Sequence, residues 1–352
     1  MYCCIECFQD THIRAIIEKQ NILGNCDFCC SLNVGVCDTS IDHSPIQEKM
    51  IELLQVYSVS DNHDGKLLNQ SLNDDWDIFN LDPKSIGKLL ECLGIQRYFS
   101  NDGLFKDRVI ITSLYNPDFL NDFCVVRCSS WKNFAESIKY ANRFHNEMFN
   151  SDALASFLSV VTEVIPLGTR FYRARIASSS TGFKKREMGA PPKEKGSVGR
   201  INPEGITILY LASDDITVLH EVRASTYDYV TVATFENTRD IIVVNLSRIS
   251  KISPFLYDGA LEKFAVNRKV LNEMAAEVAK PLRRNDSTLE YLPTQYVSEF
   301  IKREKYDGVE YSSTFREKGF NLACYNESIF SCTSVKTIEI TNVTYDSKKV
   351  GY

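Results

Sequence analysis

Two pairs of cysteines near the start of the sequence have the spacing of a metal site. Cys4 and Cys7 are separated by two residues, as are Cys26 and Cys29, and eighteen residues lie between the pairs. Two such pairs can supply four thiolates in a tetrahedron, which is the ligand set of a structural zinc ion. A site closed by four cysteines leaves no coordination position for a substrate. The spacing therefore predicts a structural zinc site that takes no direct part in catalysis.

The register of this predicted site is open, because seven of the twelve cysteines lie within the first 37 residues. Cys3, Cys30 and Cys37 are further thiols that can serve as ligands. Two other interpretations are a group of unrelated reduced cysteines and a cluster of disulfides. The first ten residues lack a basic region followed by an apolar core, so we expect no signal peptide and a cytoplasmic protein. Thiols stay reduced in that compartment, which favours zinc.

Three side chains in the C-terminal half have types and positions that suit ligand binding. Arg173 lies inside a predicted strand, where a guanidinium needs an anionic partner, either a protein carboxylate or a ligand phosphate. Tyr210 ends another predicted strand, where its ring either stacks on a flat heteroaromatic group or belongs to the core. Glu221 borders the apolar face of the next helix and either pairs with Arg223 or acts on a ligand. We interpret Tyr210 and Glu221 as facing one small-molecule pocket.

The elements that position these residues indicate a mixed α/β fold. Helical spacing predicts helices over Thr11–Gln20, from Pro45 onward, and over Ser151–Ile165. The segment 178–200, rich in Ser, Lys, Gly and Pro, is predicted to be a long loop. Strands are predicted over Thr169–Ile176, Ile206–Ala212, Tyr229–Phe235, Asp240–Leu246, Gly308–Tyr311, Asn321–Tyr325 and Thr337–Ile340. Changes in the residue pattern along the sequence predict three parts. These are a zinc-knuckle-like segment over 1–40, a helical domain over 41–166 and a third domain over 167–352.

Composition and missing motifs exclude several classes of function. The formal net charge is -6, so no general positive field attracts nucleic acid, and we expect no nucleic-acid partner. The sequence contains no run of about 18 apolar residues, so we expect no membrane span. It also lacks a P-loop, a GxGxxG fingerprint, a GxSxG elbow and an HExxH metal motif. The common signatures of nucleotide folds, serine hydrolases and zinc proteases are therefore absent.

The third domain resembles the RES domain, a family named for its Arg, Glu and Ser and found in NAD-degrading bacterial toxins. The resemblance covers residues 167 to about 330 and keeps the order of the family's motifs. The matching stretches are FYRAR with Arg173, GRINPEG, LYLASDDITVLHEVRA with Tyr210 and Glu221, YLPTQYVSEFI, and YDGVEYSSTF with Ser313. The family usually has a basic residue soon after the serine, whereas Arg316 comes only third here, so the choice between Ser312 and Ser313 stays open. The N-terminal half resembles the cysteine-knuckle and helical extension of some members.

The resemblance implies an ADP-ribosyltransferase-like fold and cleavage of NAD at its nicotinamide–ribose bond. It implies that Arg173 holds the diphosphate or ribose and that Tyr210 stacks on the nicotinamide. Glu221 would hold the ribose and stabilise the positive charge that develops as the bond breaks, which suits an oxocarbenium-like state. Ser313 would orient NAD or Glu221. NAD is thus the expected substrate, and Glu221, Arg173 and Ser313 are the expected catalytic residues.

Three functions are compatible with this resemblance. The first is an NAD glycohydrolase that depletes NAD and acts as a toxin or defence effector. The second moves ADP-ribose to another acceptor, as an ADP-ribosyltransferase or an NAD phosphorylase. The third is an inactive protein that only senses NAD. An antitoxin or regulatory protein and self-association into a homo-oligomer are further expected partnerships, although the small toxins of the family lack the N-terminal half.

Overall fold

A computed structural model describes residues 1–60, 65–127, 130–192, 194, 196, 198–256, 261–280, 286–316 and 318–344. The fold is mixed α/β, as predicted from the sequence. The chain divides into two compact units. The first unit comprises Met1–Cys128 and Lys251–Lys269, and the second comprises Ser129–Ser250 and Val270–Tyr352. The domain limits at residues 40 and 166 stay predictions.

The first unit contains two small antiparallel sheets and several short helices. Its strands are β1 (Tyr2–Cys4), β2 (Leu23–Gly24), β3 (Val34–Asp38), β4 (Tyr57–Val59), β5 (Lys66–Leu67) and β6 (Arg108–Ile111). Its helices are α1 (Thr11–Gln20), α2 (Pro45–Leu54), α3 (Leu68–Trp76), α4 (Pro83–Cys92), α5 (Gly103–Lys106) and α6 (Pro117–Phe123). The strand orders are β1-β3-β2 and β4-β6-β5. The second sheet lies within the region predicted to be helical.

Local signals set the starts of the first helices. The side chain of Asp10 accepts a hydrogen bond from the backbone N–H of Ile13, which caps α1. Ser44 caps α2 in the same way through the N–H of Gln47, and Pro45 occupies the first turn, where its missing N–H costs nothing. The helix predicted over Thr11–Gln20 is therefore confirmed at both ends.

The second unit is built on one large sheet. Its strands are β7 (Thr162–Ile165), β8 (Arg170–Ala177), β9 (Leu209–Ala212), β10 (Tyr229–Asn237), β11 (Ile241–Asn245), β12 (Gly308–Ser312), β13 (Phe320–Cys324) and β14 (Phe330–Glu339). Its helices are α7 (Trp131–Tyr140), α8 (Ser151–Val160), α9 (Asp215–Glu221) and α11 (Leu292–Arg303). A further helix, α10 (Leu261–Ala279), runs through the division between the units. None of the helices in the described part of the chain is long and apolar enough to cross a membrane.

The strand pairing of the eight-stranded sheet is sparsest near its middle, between β8 and β9. The strand order is β14-β10-β8-β9-β13-β12-β11-β7, and the pairing is antiparallel except between β11 and β12. The long strands β8 and β10 pair over eight residues, but β8 and β9 share only the pair Tyr172↔Ala212. Two paired halves therefore diverge from this single contact and open a cleft between β8 and β9.

Alternation along the strands gives the sheet an apolar core on each face. One core contains Phe171, Leu211, Phe235 and Leu322, and the loop after β8 adds the fully buried Met188. The other core contains residues of the opposite alternation, together with one face of α9. Its buried members are Ala174, Ala212, Val218, Val230 and Val232. Helix α9 is therefore held against the sheet beside the cleft.

Two sequence predictions in this unit are wrong in detail. The helix predicted over Ser151–Ile165 ends at Val160, and Thr162–Ile165 is strand β7, which pairs with β11. The strand predicted from Ile206 begins only at Leu209, so Tyr210 lies inside β9 and does not end it. The cleft therefore reaches Tyr210 from the side of the strand, where the partner strand has diverged.

Candidate active site and metal centre

A cavity of about 470 Å³ occupies the cleft between β8 and β9. This volume is in the range of sites that bind small molecules and cofactors. Arg173, Tyr210 and Glu221, all predicted from the sequence, line the cavity. Its other lining residues include Gly199, Arg200, Asn202, Tyr291, Tyr311 and Asn321. The structure thus brings together residues that lie far apart in the sequence.

The side chain of Arg173 extends from β8 to β9. Its Nη1 donates a hydrogen bond to the backbone oxygen of Tyr210 over 2.9 Å, which fixes the guanidinium beside the cavity. Its Nε is buried and has no hydrogen-bond partner in the described chain, and no described carboxylate forms an ion pair with it. Burial, and then the neighbouring charge of Arg175, lowers the pKa of Arg173 to about 10. The guanidinium therefore stays charged at neutral pH and has capacity left for an anion.

Tyr210 is held by the loop that precedes β9. Its hydroxyl donates to Oδ1 of Asn202 over 2.6 Å, and Asn202 in turn donates to the backbone oxygen of Ile206. A Cβ added at Gly199 would stand 2.7 Å from the Tyr210 hydroxyl, so only glycine allows this approach. Nε2 of Gln295 donates to the backbone oxygens of both Gly199 and Asn202. The loop and helix α11 thus fix the ring of Tyr210 in the cavity wall.

Glu221 is the last residue of α9, and one of its two carboxylate oxygens is fully engaged. Oε1 accepts hydrogen bonds from Oγ of Ser313 over 2.9 Å and from Nδ2 of Asn321 over 2.7 Å. In the described chain, Oε2 accepts no hydrogen bond and Glu221 forms no ion pair, so the pairing with Arg223 considered above is not formed. A carboxylate at a helix C-terminus is also disfavoured by the helix dipole. The group is therefore oriented at one oxygen and open at the other.

The N-terminus of α9 fixes the position of Glu221 from the other end. Asp214 caps the helix by accepting from the N–H groups of Ile216 and Thr217. Nη1 of Arg316 donates to Oδ1 of Asp214 over 2.6 Å. Arg316 lies on the segment that follows Ser313, so this ion pair connects the serine segment to the helix of Glu221.

Ser313 and Ser312 are separated by the end of β12. Ser313 is buried and contacts Glu221, whereas Ser312 is exposed and lies outside the cavity. The structure thus brings Arg173, Tyr210, Glu221 and Ser313 to one place. Their roles toward a ligand remain predictions.

Asn321 and Tyr311 are residues of this site that sequence reasoning missed. They are directly opposite each other on β13 and β12, and both line the cavity. Asn321 is a polar residue within the otherwise apolar strand FNLAC, which is a signal that its side chain needs a partner. The partner, Glu221, cannot be inferred without the strand register.

The N-terminal cysteines form a separate cluster in the first unit. The Sγ atoms of Cys4, Cys7, Cys26 and Cys29 all lie within 4.8 Å of one another. The individual Sγ–Sγ distances are 3.7 Å for Cys4–Cys7, 3.3 Å for Cys4–Cys29 and 3.4 Å for Cys7–Cys26. Four sulfurs at about 2.3 Å from a tetrahedral zinc ion would be about 3.8 Å apart. The arrangement fits a metal ion at its centre.

The chemistry of the donor set also fits a cation. A hydrogen bond with Cys3, followed by burial, raises the pKa of Cys7, and burial, followed by a hydrogen bond with Cys29, raises the pKa of Cys4; a cation at the centre of the cluster would favour the thiolate form of both. The backbone N–H groups of Phe28 and Cys29 point to Sγ of Cys26, as donors to a metal-bound thiolate do. Cys3 and Cys37 lie opposite each other in the register of β1 and β3, and Cys30 is exposed. None of these three belongs to the group of four sulfurs.

The chain is thus an α/β protein with a divided sheet, and the cleft in this sheet contains an arginine, a half-open carboxylate and aromatic walls. The family is identified by sequence. The chain belongs to the RES domain family, whose family model matches residues 170–346. No curated protein shows significant similarity to the chain.

Two solved structures are similar to part of the chain. The first is the M. tuberculosis MbcT–MbcA toxin–antitoxin complex, with 14% identity, a TM-score of 0.31, and coverage of 52% of this chain and 92% of that chain. The second is an anti-CRISPR protein, with 15% identity, a TM-score of 0.23, and coverage of 49% and 100%.

Proposed function

We propose that the protein is an NAD glycohydrolase that releases nicotinamide and ADP-ribose. Membership of the RES domain family supports a role in NAD processing in general. The observation that carries the finer proposal is Glu221, a carboxylate fixed at Oε1 and free at Oε2 in a cavity that also holds Arg173. Breaking an N-glycosidic bond needs a fixed negative charge beside a ribose that becomes positive.

In this proposal each side chain has a separate task. Arg173 binds the diphosphate through the part of its guanidinium that lines the cavity, and Tyr210 stacks on the nicotinamide ring. The free oxygen of Glu221 holds the ribose, while Ser313 and Asn321 keep the carboxylate from rotating. The bond between ribose C1′ and the nicotinamide nitrogen breaks with its electron pair going to the nitrogen. Water then adds to C1′ and releases a proton.

Product analysis of purified protein incubated with NAD tests the proposal. We expect nicotinamide and free ADP-ribose in equal amounts from the wild type. Glu221→Gln keeps the size of the side chain and one acceptor oxygen but removes its charge, and we expect a rate at least about 100-fold lower. The matched control is Glu304→Gln, outside the cavity, with unchanged turnover.

The products also decide between this proposal and its alternatives. ADP-ribose attached to protein or nucleic acid would show a transferase, and ADP-ribose 1″-phosphate formed only with phosphate would show a phosphorylase. NAD binding without any product would show a sensor. Any of these three results contradicts glycohydrolysis.

We further propose that Cys4, Cys7, Cys26 and Cys29 hold a structural zinc ion. The support is the compact set of four sulfurs and the N–H groups directed to Cys26. Bound zinc would replace the mutual repulsion of the thiolates by four metal–sulfur bonds. Metal analysis of the purified chain should give about one zinc per molecule, and absence of zinc and of any other divalent metal would contradict the proposal.

NAD depletion would make the active chain toxic to a cell that produces it. Expression should therefore arrest growth for the wild type and not for Glu221→Gln. A protein partner that restrains the enzyme, and assembly into a homo-oligomer, remain predictions.

A further inference from the structure

Tyr311 occupies the wall of the cavity next to Glu221. It lies on β12, opposite Asn321 on β13, and is only 5% exposed. The guanidinium of Arg200 lies 5.6 Å from the centre of its ring. The ring is therefore packed in place, and its position does not depend on its hydroxyl.

The hydroxyl of Tyr311 has no hydrogen-bond partner anywhere in the described chain. This separates it from two other largely buried tyrosines of the same unit. The hydroxyl of Tyr210 donates to Asn202, and that of Tyr325 donates to the backbone oxygen of Ser298 over 2.9 Å. The oxygen of Tyr311 is not sealed off from the cavity, since it does not belong to the buried atoms that lack a partner.

A hydroxyl that is open to the cavity and has no protein partner contributes no hydrogen bond to the stability of the fold. Phenylalanine would fill the same space without loss of stability. A polar group that faces a cavity without a protein partner is typical of a site that awaits its ligand. Burial and nearby tyrosine and carboxylate groups raise the pKa of Tyr311, so its hydroxyl keeps its proton at neutral pH and acts as a donor.

We propose that the Tyr311 hydroxyl contacts the substrate directly and donates a hydrogen bond to an oxygen atom of the bound dinucleotide. This inference rests on the proposed function, because it takes NAD as the molecule in the cavity. A ribose hydroxyl fits best, since it can donate to the free oxygen of Glu221 and accept from Tyr311 at the same time. Tyr311 is then a further polar contact to the substrate, beside Arg173 and Glu221, and neither the motifs nor the family resemblance assigned it.

The experiment compares two Tyr→Phe variants of the full chain that differ in whether the removed hydroxyl has a partner in the protein. Tyr311→Phe removes a hydroxyl without a protein partner, and Tyr325→Phe, outside the cavity, removes a hydroxyl that is bonded to Ser298. We expect Tyr311→Phe to lower kcat/KM for NAD roughly tenfold while its melting temperature stays equal or rises. We expect Tyr325→Phe to show the reverse, a lower melting temperature with unchanged kcat/KM.

Two outcomes would overturn the inference. One is full kcat/KM in Tyr311→Phe, and the other is a loss of melting temperature as large as that of Tyr325→Phe, which would reveal a structural role. Calorimetric titration with NAD separates this failure from failure of the proposed function. If the wild type binds NAD without cleaving it, glycohydrolysis is wrong, and a roughly tenfold weaker Kd in Tyr311→Phe still supports the contact. If the wild type neither binds nor cleaves NAD, both proposals fall.

Discussion

The cysteine cluster and the cleft between β8 and β9 satisfy their polar groups in opposite ways. The four thiols converge on one another, and three of them are almost completely buried. In the cleft, Arg173 keeps an unpartnered Nε, Glu221 keeps a free oxygen, and Tyr311 keeps an unbonded hydroxyl in the described chain. Polar groups that have all their partners within the protein stabilise the fold. Polar groups that lack some of these partners do not, and a bound ligand can supply the missing partners.

The same contrast occurs within a single strand. Glu310 and Tyr311 are consecutive on β12, so their side chains point to opposite faces of the sheet. Oε1 of Glu310 accepts from Nδ2 of Asn245 over 2.6 Å, and Asn245 also donates to Glu163, which pairs with Arg248. Glu310 is therefore part of a closed network, whereas Tyr311 faces the cavity.

The largest expected effect comes from opening the cysteine cluster. Cys4→Ser should lower the unfolding free energy of the first unit by at least about 3 kcal/mol, because zinc binding in small domains contributes about 10–16 kcal/mol. Zinc content should fall with it, while NAD turnover per folded molecule stays unchanged. Metal analysis and urea unfolding measure the first two quantities.

The control for this variant is Cys30→Ser, which changes an exposed cysteine outside the cluster. It should leave zinc content and stability as in the wild type. If Cys4→Ser keeps its zinc, or if Cys30→Ser loses it, the closed site is wrongly assigned.

A smaller effect is expected from the closed network around Glu310. Burial, and then the charge of Glu163, raises the pKa of Glu310 from 4.5 to about 7. The folded chain then binds the proton more tightly than the unfolded chain. The stabilisation is complete below about pH 4.5 and is lost as the pH rises through about 7, with a total of about 3 kcal/mol. Urea midpoints at pH 5 and pH 8 should show this loss in the wild type and not in Glu310→Gln.

The exposed-surface control is again Glu304→Gln, which should keep the pH dependence of the wild type. An identical pH dependence in Glu310→Gln would show that Glu310 does not carry it.

The smallest of these effects concerns the donors that orient Glu221. Asn321→Leu removes the amide at 2.7 Å from Oε1 and keeps the volume, and we expect kcat to fall about tenfold. Ser313→Ala removes the second donor to the same oxygen, with a similar expected loss. The two losses should not add, since both act through one carboxylate. Additive losses in the double variant, measured as initial rates, would place the two residues in separate roles.

What the sequence predicted well depends on short-range signals. Helix α1 has the predicted bounds, and Asp10, directly before it, caps it. The two cysteine pairs lie within 26 residues of sequence, so their spacing is a local signal. In the structure the sulfurs of these four cysteines lie together, and those of Cys3, Cys30 and Cys37 do not belong to the group. Thr162–Ile165 was assigned to a helix because the sequence does not reveal that these residues pair with β11, about 80 positions later.

The cleft was predicted only in part for the same reason. The resemblance supplied Arg173, Tyr210, Glu221 and Ser313, which carry the family's motifs. Asn321 was missed because its contact with Glu221 spans 100 positions and depends on how β13 lies against β9 and β12. The cavity exists because β8 and β9 share only one residue pair, and no local sequence pattern indicates this sparse pairing.

We propose that the half-open carboxylate of Glu221 promotes the cleavage of NAD. The most direct test follows NAD and nicotinamide over time with equal concentrations of folded wild type and Glu221→Gln. We expect nicotinamide release by the wild type and a rate at least about 100-fold lower in the variant, with equal melting temperatures. Equal rates in the two proteins, or undiminished NAD with both, would contradict it.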